Sequence, residues 1–162
     1  PGLGKKIREL LLHYDGDVAP RCEACLFLAD RAQHIEHTIK PAVKAGKIVL
    51  CDRHTDSTIA YQGYGRGEDI KQLKYLNDIA TGNIKPDLTF VFDVSSEVAQ
   101  TRVGSEKDRM ESAGLEFHKK VREGYLKIAQ EEPLRVKVAN ANNSIEEVFE
   151  ETRAILDEFL NQ

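Results

Sequence analysis

The chain has 162 residues, of which 41% are hydrophobic, and its 27 Asp and Glu outnumber its 23 Lys and Arg, giving a formal net charge of −4 at pH 7. This length favours one globular domain over 1–162, and the acidic balance favours small-molecule partners over nucleic acid. No apolar run approaches the roughly 20 residues that span a bilayer, and the first residues lack a signal-peptide layout, so we expect a cytoplasmic protein without a membrane partner.

The N-terminal part of the sequence predicts two helices. Residues 4–12 form a short helical pattern that ends in a turn-rich stretch, Asp15-Gly16-Asp17. From 22 to 45 apolar residues recur at the spacing of one helix face, which predicts a long helix that bends near Pro41. The apolar stripe comprises Cys22, Cys25, Leu26, Ala29, Ala32, Ile35, Ile39 and Val43.

The chain contains three cysteines, and two of them form a Cys22-x-x-Cys25 pair within the long helix. Such a pair could serve zinc or redox chemistry, but Cys51 is the only other thiol and structural zinc usually takes four ligands. We therefore expect packed, reduced thiols and treat a metal or redox site as the alternative.

The rest of the chain alternates apolar runs with amphipathic segments around a polar, glycine-rich stretch at 62–67. Strands are predicted at 47–51, 88–94 and 135–139, and helices at 68–80, 96–102, 115–129 and 144–160, the last of which opens with a Ser-x-x-Glu capping box. This alternation predicts an α/β fold with a mainly parallel sheet. Three strands are few for so many helices, so we expect further strands before Pro1.

Asp52 and Arg53 follow directly after the first predicted strand. Ligands of open α/β sheets bind beyond the carboxyl ends of the strands. A carboxylate at this position could hold Mg²⁺, and an adjacent guanidinium could grip phosphate with two hydrogen bonds. A structural ion pair is an equally good interpretation of these two residues taken alone.

One face of the long helix carries Phe27, Arg31 and His34 at positions i, i+4 and i+7. An aromatic plane with a cation one turn later could stack a nucleobase and hydrogen-bond its edge. The common alternative is a core phenylalanine with an arginine that extends to solvent. His34 and His37 have metal-like spacing, but a solvated helix face explains them better.

Polar side chains cluster again after Asp52 and Arg53. Ser57, Thr58, Tyr61 and Gln62 fall within one or two turns and could contact a sugar or base, although such residues usually belong to a solvated loop.

A later loop carries three cations, Arg102, Lys107 and Arg109, as phosphoryl transfer requires, with a mobile surface loop as the alternative. The glycines of 63–67 are not a P-loop, because no Gly-Lys-Ser/Thr follows them, and no such motif occurs elsewhere in the sequence.

Several of these segments together resemble the central motifs of bacterial thymidylate kinases, in the same order and at the same spacing. The matching stretches are LFLADRAQH (26–34), DRHTDSTIAYQG (52–63), ATG (80–82), KPDLT (85–89), FH (117–118) and GY (124–125). The resemblance implies a P-loop kinase-type three-layer sandwich, phosphoryl transfer from ATP to dTMP with Mg²⁺, and a homodimer formed through the long helices.

The resemblance also implies roles for individual residues. Phe27 would stack on thymine, and Arg31 would hydrogen-bond its edge. Arg53 would hold the dTMP phosphate, and Asp52 would organise Mg²⁺. The remaining assignments are Thr58 and Gln62 near the base, Tyr61 beneath the deoxyribose, and Arg102, Lys107 and Arg109 in a lid loop around 103–114 that covers ATP. Arg109 and Arg102 would act on the transferring phosphoryl group, and Asn140 would lie near the adenine.

The sequence departs from the family pattern in three respects. It lacks the family's first strand and P-loop, without which we expect this chain alone to be inactive. His54 stands where the family often has tyrosine, and Asn140 stands where it often has aspartate. The competing interpretations are another nucleotide or deoxynucleoside kinase and a catalytically inactive nucleotide-binding protein.

Overall fold

A computed structural model describes residues 2–95, 98–99, 102 and 109–161. The chain forms two compact units. Unit 1 comprises Pro1–Lys85 and Glu106–Gly124, and unit 2 comprises Pro86–Ser105 and Tyr125–Gln162. No helix in the described part of the chain is both long enough and apolar enough to cross a membrane. The expectation of one domain with a lid loop around 103–114 stays a prediction, because 103–108 lie outside the described residues.

Unit 1 begins with two helices that pack against each other, α1 (Leu3–His13) and α2 (Pro20–His34). The second helix continues through a π-helical segment, Ile35–Ile39, into α3 (Lys40–Lys44). Proline lacks an N–H, and its ring clashes with the carbonyl four residues earlier, so a wider turn just before Pro41 accommodates it. The predicted short helix and the predicted long helix are both confirmed, and the bend predicted near Pro41 stays a prediction.

The predicted apolar stripe of the long helix is wrong at its N-terminal end. Cys22 and Cys25 are exposed, so they are not core residues. The buried positions at this end are instead Glu23, Ala24 and Leu28. Ile35 and Ile39 are buried as predicted, whereas Ala29 and Val43 are exposed. The phase differs because α1 covers α2 with its own buried Ile7 and Leu11, and because Glu23 has polar partners that compensate its burial.

The prediction of a buried strand at 47–51 is also wrong. The segment is extended coil, and Ile48 and Leu50 are 78% and 91% exposed. A strand needs a neighbour to pair its backbone groups. Within the described ranges the one sheet consists of β1 (Thr89–Asp93) and β2 (Val136–Asn140), so no strand lies beside 47–51.

The segment after Asp52 and Arg53 is helical, where the sequence suggested a polar stretch. It forms the short α4 (Thr55–Thr58) and a second π-helical segment, Ile59–Gly65. A Cβ at Gly65 would lie 2.6 Å from Phe117 Cε2, so only glycine permits this close packing. The predicted helix at 68–80 is confirmed as α5 (Ile70–Thr81), with Asp69 as its N-cap and the left-handed Gly82 at its end.

The next helix, α6 (Leu115–Glu131), follows a short 3₁₀ turn, Glu111–Ala113, and confirms the helix predicted at 115–129. It begins in unit 1 and ends in unit 2.

Unit 2 contains the parallel pair of strands, in register from Thr89 opposite Val136 to Asp93 opposite Asn140. Its last helix, α7 (Ile145–Leu160), contacts β2 and opens with the predicted capping box between Ser144 and Glu147. The α/β class, the parallel pairing and two of the three predicted strands are therefore confirmed. Most of the helix predicted at 96–102 lies outside the described residues.

Candidate active site

One cavity of unit 1 gathers the side chains that the sequence assigned to the acceptor nucleotide. Its volume is about 730 Å³. All six residues predicted to contact dTMP line it, namely Phe27, Arg31, Arg53, Thr58, Tyr61 and Gln62. Asp52, the predicted metal ligand, lines the same cavity. The cavity thus joins residues of α2, of the loop after 47–51 and of the two short helical segments that follow it.

The guanidinium group of Arg31 donates hydrogen bonds to oxygen atoms of Thr58, Asn77 and His54. Its Nη1 donates to Thr58 Oγ1 and, at 3.0 Å, to Asn77 Oδ1. Its Nη2 donates to the backbone carbonyl of His54 at 2.9 Å. Thr58 and Asn77 are 1% and 3% exposed. Because a planar guanidinium held at both terminal nitrogens has little freedom to rotate, Arg31 is preorganised.

Sequence reasoning missed Asn77, although a signal was present. Leu73, Asn77 and Thr81 lie at i, i+4 and i+8 of α5, and all three are buried. Asn77 also donates from Nδ2 to the carbonyl of Thr55 at 3.3 Å. An amide on the buried face of an amphipathic helix needs polar partners from other elements, and these partners are the Arg31 side chain and the start of α4.

Arg53 and Tyr61 also line the cavity. The Arg53 guanidinium carbon lies 4.9 Å from the centroid of the Tyr61 ring, a cation–π distance. Tyr61 also contacts Phe117 of α6, whose ring meets it edge-on at 5.9 Å between centroids. Arg53 and Asp52 are both exposed, so a ligand in the cavity reaches a cation and a carboxylate without displacing buried groups.

Behind this cavity lies a buried carboxylate that sequence reasoning did not single out. The Glu23 carboxylate accepts hydrogen bonds from Gln62 Nε2 at 2.9 Å, from Arg66 Nη2 at 3.2 Å and from Arg109 Nη1 at 2.7 Å. Burial alone would raise the pKa of Glu23, but these hydrogen bonds and the charge of Arg66 lower it below the ordinary value. Glu23 is therefore an ionised group inside unit 1.

Comparison with known proteins decides the family. The family model described as thymidylate kinase matches residues 2–152. This chain belongs to the thymidylate kinase family. The thymidylate kinase of Desulfovibrio desulfuricans is 44% identical over 170 aligned residues, which cover 99% of this chain and 78% of that protein. That of Trichodesmium erythraeum is 49% identical over 159 residues, which cover 95% of this chain and 70% of that protein.

Membership of the thymidylate kinase family confirms the resemblance found in the sequence. It also confirms the P-loop kinase-type fold class, of which the described residues show the parallel strand pair and its helices.

The residues predicted to serve ATP are divided between the two units. Arg109 lies in unit 1, where its Nε donates to the carbonyl of Leu11 at 2.8 Å and its Nη1 donates to Glu23. Its buried Nη2 has no hydrogen-bond partner among the described residues. Arg102 lies in unit 2 and donates from Nη1 to the carbonyl of Ala141 at 2.7 Å. Asn140 ends β2 in the same unit, and Lys107 lies outside the described residues.

The metal predictions rest on a single carboxylate. Over 2–95, 98–99, 102 and 109–161, no three His, Cys, Asp or Glu side chains are arranged to hold a metal ion. Mg²⁺ at phosphoryl-transfer sites usually keeps several waters and takes one or two carboxylates plus substrate phosphates. An exposed Asp52 beside the phosphate-binding candidate Arg53 fits that ligand set.

Proposed function

We propose that the cavity of unit 1 is the acceptor site of a thymidylate kinase that transfers a phosphoryl group from ATP to dTMP, giving dTDP and ADP. The observation that carries this proposal is the convergence of the six predicted dTMP residues, together with Asp52, on one cavity. These residues come from separate segments of the sequence, so their meeting in one place depends on the fold.

The two ends of the cavity suit the two ends of dTMP. Arg31 presents a fixed guanidinium for the carbonyl edge of thymine, and Phe27, one turn earlier on α2, supplies a ring for stacking. Thr58 and Gln62 lie beside the base, and Tyr61 packs under the deoxyribose, where it leaves little room for a ribose 2′-hydroxyl. Arg53 provides the cation for the acceptor phosphate.

The chemistry asked of these residues is alignment and charge neutralisation. The acceptor phosphate of dTMP is already ionised, so its oxygen attacks without a strong general base. Holding ATP and dTMP in line within one complex removes from the barrier the loss of translational and rotational entropy that a collision between them would cost. Arg53 would fix the attacking phosphate and offset the repulsion between the two phosphate groups.

On the donor side we propose that ATP is contacted by Arg102, Lys107, Arg109 and Asn140. Asp52 would hold Mg²⁺, which would neutralise charge on the phosphates when bound. Arg109 is the first candidate for contact with the transferring group, and Arg102 is the second. We further propose a homodimer formed through the long helix, on which Cys22, Cys25 and Val43 are exposed, and a cytoplasmic location.

An acceptor panel tests the proposal. ADP release is measured with Mg-ATP and each of dTMP, dUMP, dCMP and AMP, and preference for dTMP is the expected result. Preference for another acceptor would indicate a different nucleotide kinase. Binding of dTMP without turnover would indicate a nucleotide-binding protein.

Arg31→Ala tests the proposed base recognition. It should weaken use of dTMP and leave the KM for ATP unchanged, because Arg31 is proposed to contact only the base. Arg21→Ala is the matched control on the same helix, since the Arg21 side chain is 82% exposed. Equal loss with every acceptor would contradict the assignment of Arg31 to the base.

A further inference from the structure

Glu23 is a buried, charged residue to which the proposed chemistry assigns no role of its own. It is 0% exposed, in the first turn of α2. Taking a carboxylate out of water is costly unless charged or hydrogen-bonding partners compensate it. Two arginines and one glutamine surround both of its oxygens. The contacts that Gln62 and Arg66 make with other residues indicate what this buried carboxylate does.

The partners of Glu23 reach the proposed acceptor site by two routes. The direct route is Gln62, which lines the cavity and is 2% exposed. The indirect route is Arg66, whose guanidinium carbon lies 4.4 Å from the centroid of the Phe117 ring. Phe117 in turn supports Tyr61, with 5.9 Å between the ring centroids. The carboxylate therefore fixes two neighbouring side chains of the cavity lining from behind.

We propose that Glu23 is a positioning residue of the acceptor site, which holds Gln62 directly and Tyr61 through Arg66 and Phe117. The inference rests on the proposed function, because it assigns to that site the residue that sets its shape. Without the negative charge, the Arg66 guanidinium loses its counter-ion and gains by turning to water, since its side chain is already 24% exposed. Phe117 then loses the group packed on its face, and the Tyr61 ring is no longer held in one orientation.

Glu23→Gln is the main test, because it removes the charge and keeps the size of the side chain. The matched control is Glu36→Gln, the same change at an exposed carboxylate paired with Lys40. Binding of dTMP is measured by isothermal titration calorimetry on folded protein. We expect the Kd of Glu23→Gln to rise about tenfold at unchanged stoichiometry, and that of Glu36→Gln to stay within about twofold.

The stoichiometry distinguishes positioning from mere structural support. If Glu23 only stabilised the fold, Glu23→Gln would contain less binding-competent protein, and the remainder would bind dTMP with the wild-type Kd. That result would overturn the proposal. Arg66→Lys supplies a second variant if Glu23→Gln does not fold. It keeps a charge but loses the planar fork, so it should also raise the Kd, whereas an unchanged Kd would contradict the route through Arg66.

A measurement without ligand separates this proposal from the proposed function. The ring resonances of Tyr61 are recorded by NMR in the wild type, Glu23→Gln and Glu36→Gln. The proposal expects them to shift or broaden in Glu23→Gln alone, and unchanged resonances in that variant would overturn it. Failure of the folded wild type to bind dTMP would refute the acceptor-site assignment, and the ring resonances would still decide whether Glu23 positions Tyr61.

Discussion

Replacing Asn77 with alanine removes one of the hydrogen-bond partners that hold Arg31. Asn77 accepts a hydrogen bond from Arg31 Nη1 at 3.0 Å and donates to the Thr55 carbonyl at 3.3 Å. The variant leaves the Thr58 and His54 bonds in place. Arg31 therefore stays in the site but gains freedom to rotate, and the Thr55 carbonyl loses one donor.

The expected magnitude follows from the kind of bond that is lost. A hydrogen bond to a charged group contributes about 1.5–3 kcal/mol. The lower end applies because Arg31 keeps its bonds to Thr58 and to the His54 carbonyl. That corresponds to about a tenfold increase in the KM for dTMP. Asn77 is 3% exposed, so the variant also leaves a small cavity and should lower the free energy of unfolding by about 1–3 kcal/mol.

Steady-state kinetics with dTMP varied at saturating Mg-ATP, and then with ATP varied, measure this effect. The KM for ATP should not change, because the side-chain hydrogen bonds of Asn77 go to Arg31 and to the Thr55 carbonyl at the start of α4. Gln72→Ala is the control, since it removes an exposed amide from the same helix. An unchanged KM for dTMP in folded Asn77→Ala would refute the claim that Asn77 orients Arg31.

Three further predictions test the packing and the electrostatics. Gly65→Ala places a Cβ 2.6 Å from Phe117, so thermal unfolding should show destabilisation of about 1–3 kcal/mol together with weaker dTMP binding. Ser144→Ala removes the capping box of α7, and urea unfolding should show a loss of about 1 kcal/mol with dTMP binding unchanged. The lowered pKa of Glu23 stabilises the fold above the ordinary glutamate value of about 4.3, and this contribution is lost as the pH falls through the folded pKa. The urea midpoint should therefore fall less steeply on acidification in Glu23→Gln than in the wild type.

The sequence predicted those elements whose signal is local. The helix at 4–12 and the capping box at Ser144 depend on spacing and end residues that lie within a few positions of each other. The strand predicted at 47–51 failed because pairing depends on a neighbour, which the local pattern does not contain. The phase of α2 failed at Cys22 and Cys25 for a related reason, since the covering helix α1 selects which face is buried.

The residues of the site also divide into those that the sequence predicted and those that depend on partners distant in the sequence. The residues proposed to contact dTMP were predicted from their resemblance to a family pattern, and they line one cavity. Asn77 and Glu23 were not found, because a single polar residue within an amphipathic helix usually belongs to the solvated face. Asn77 is buried against Arg31, which lies 46 positions away in the sequence. Glu23 is buried against Gln62, Arg66 and Arg109, which lie 39, 43 and 86 positions away. Such pairings are a property of the fold; of the two residues, Asn77 alone had a local signal, its position on the buried face of α5 with Leu73 and Thr81.

The backbone conformation of Arg53 affects two residues of the proposed site, Arg31 and Tyr61. Arg53 has a φ of +64°, and a non-glycine residue in this left-handed region carries strain of about 1–3 kcal/mol. The turn that this conformation produces leads into α4 and directs the carbonyl of the next residue, His54, to Arg31 Nη2. The same turn places the Arg53 guanidinium over the Tyr61 ring. Glycine would remove the strain but also the cation. The strain therefore accompanies the placement of the proposed phosphate-binding side chain, Arg53, directly before the carbonyl that accepts from Arg31.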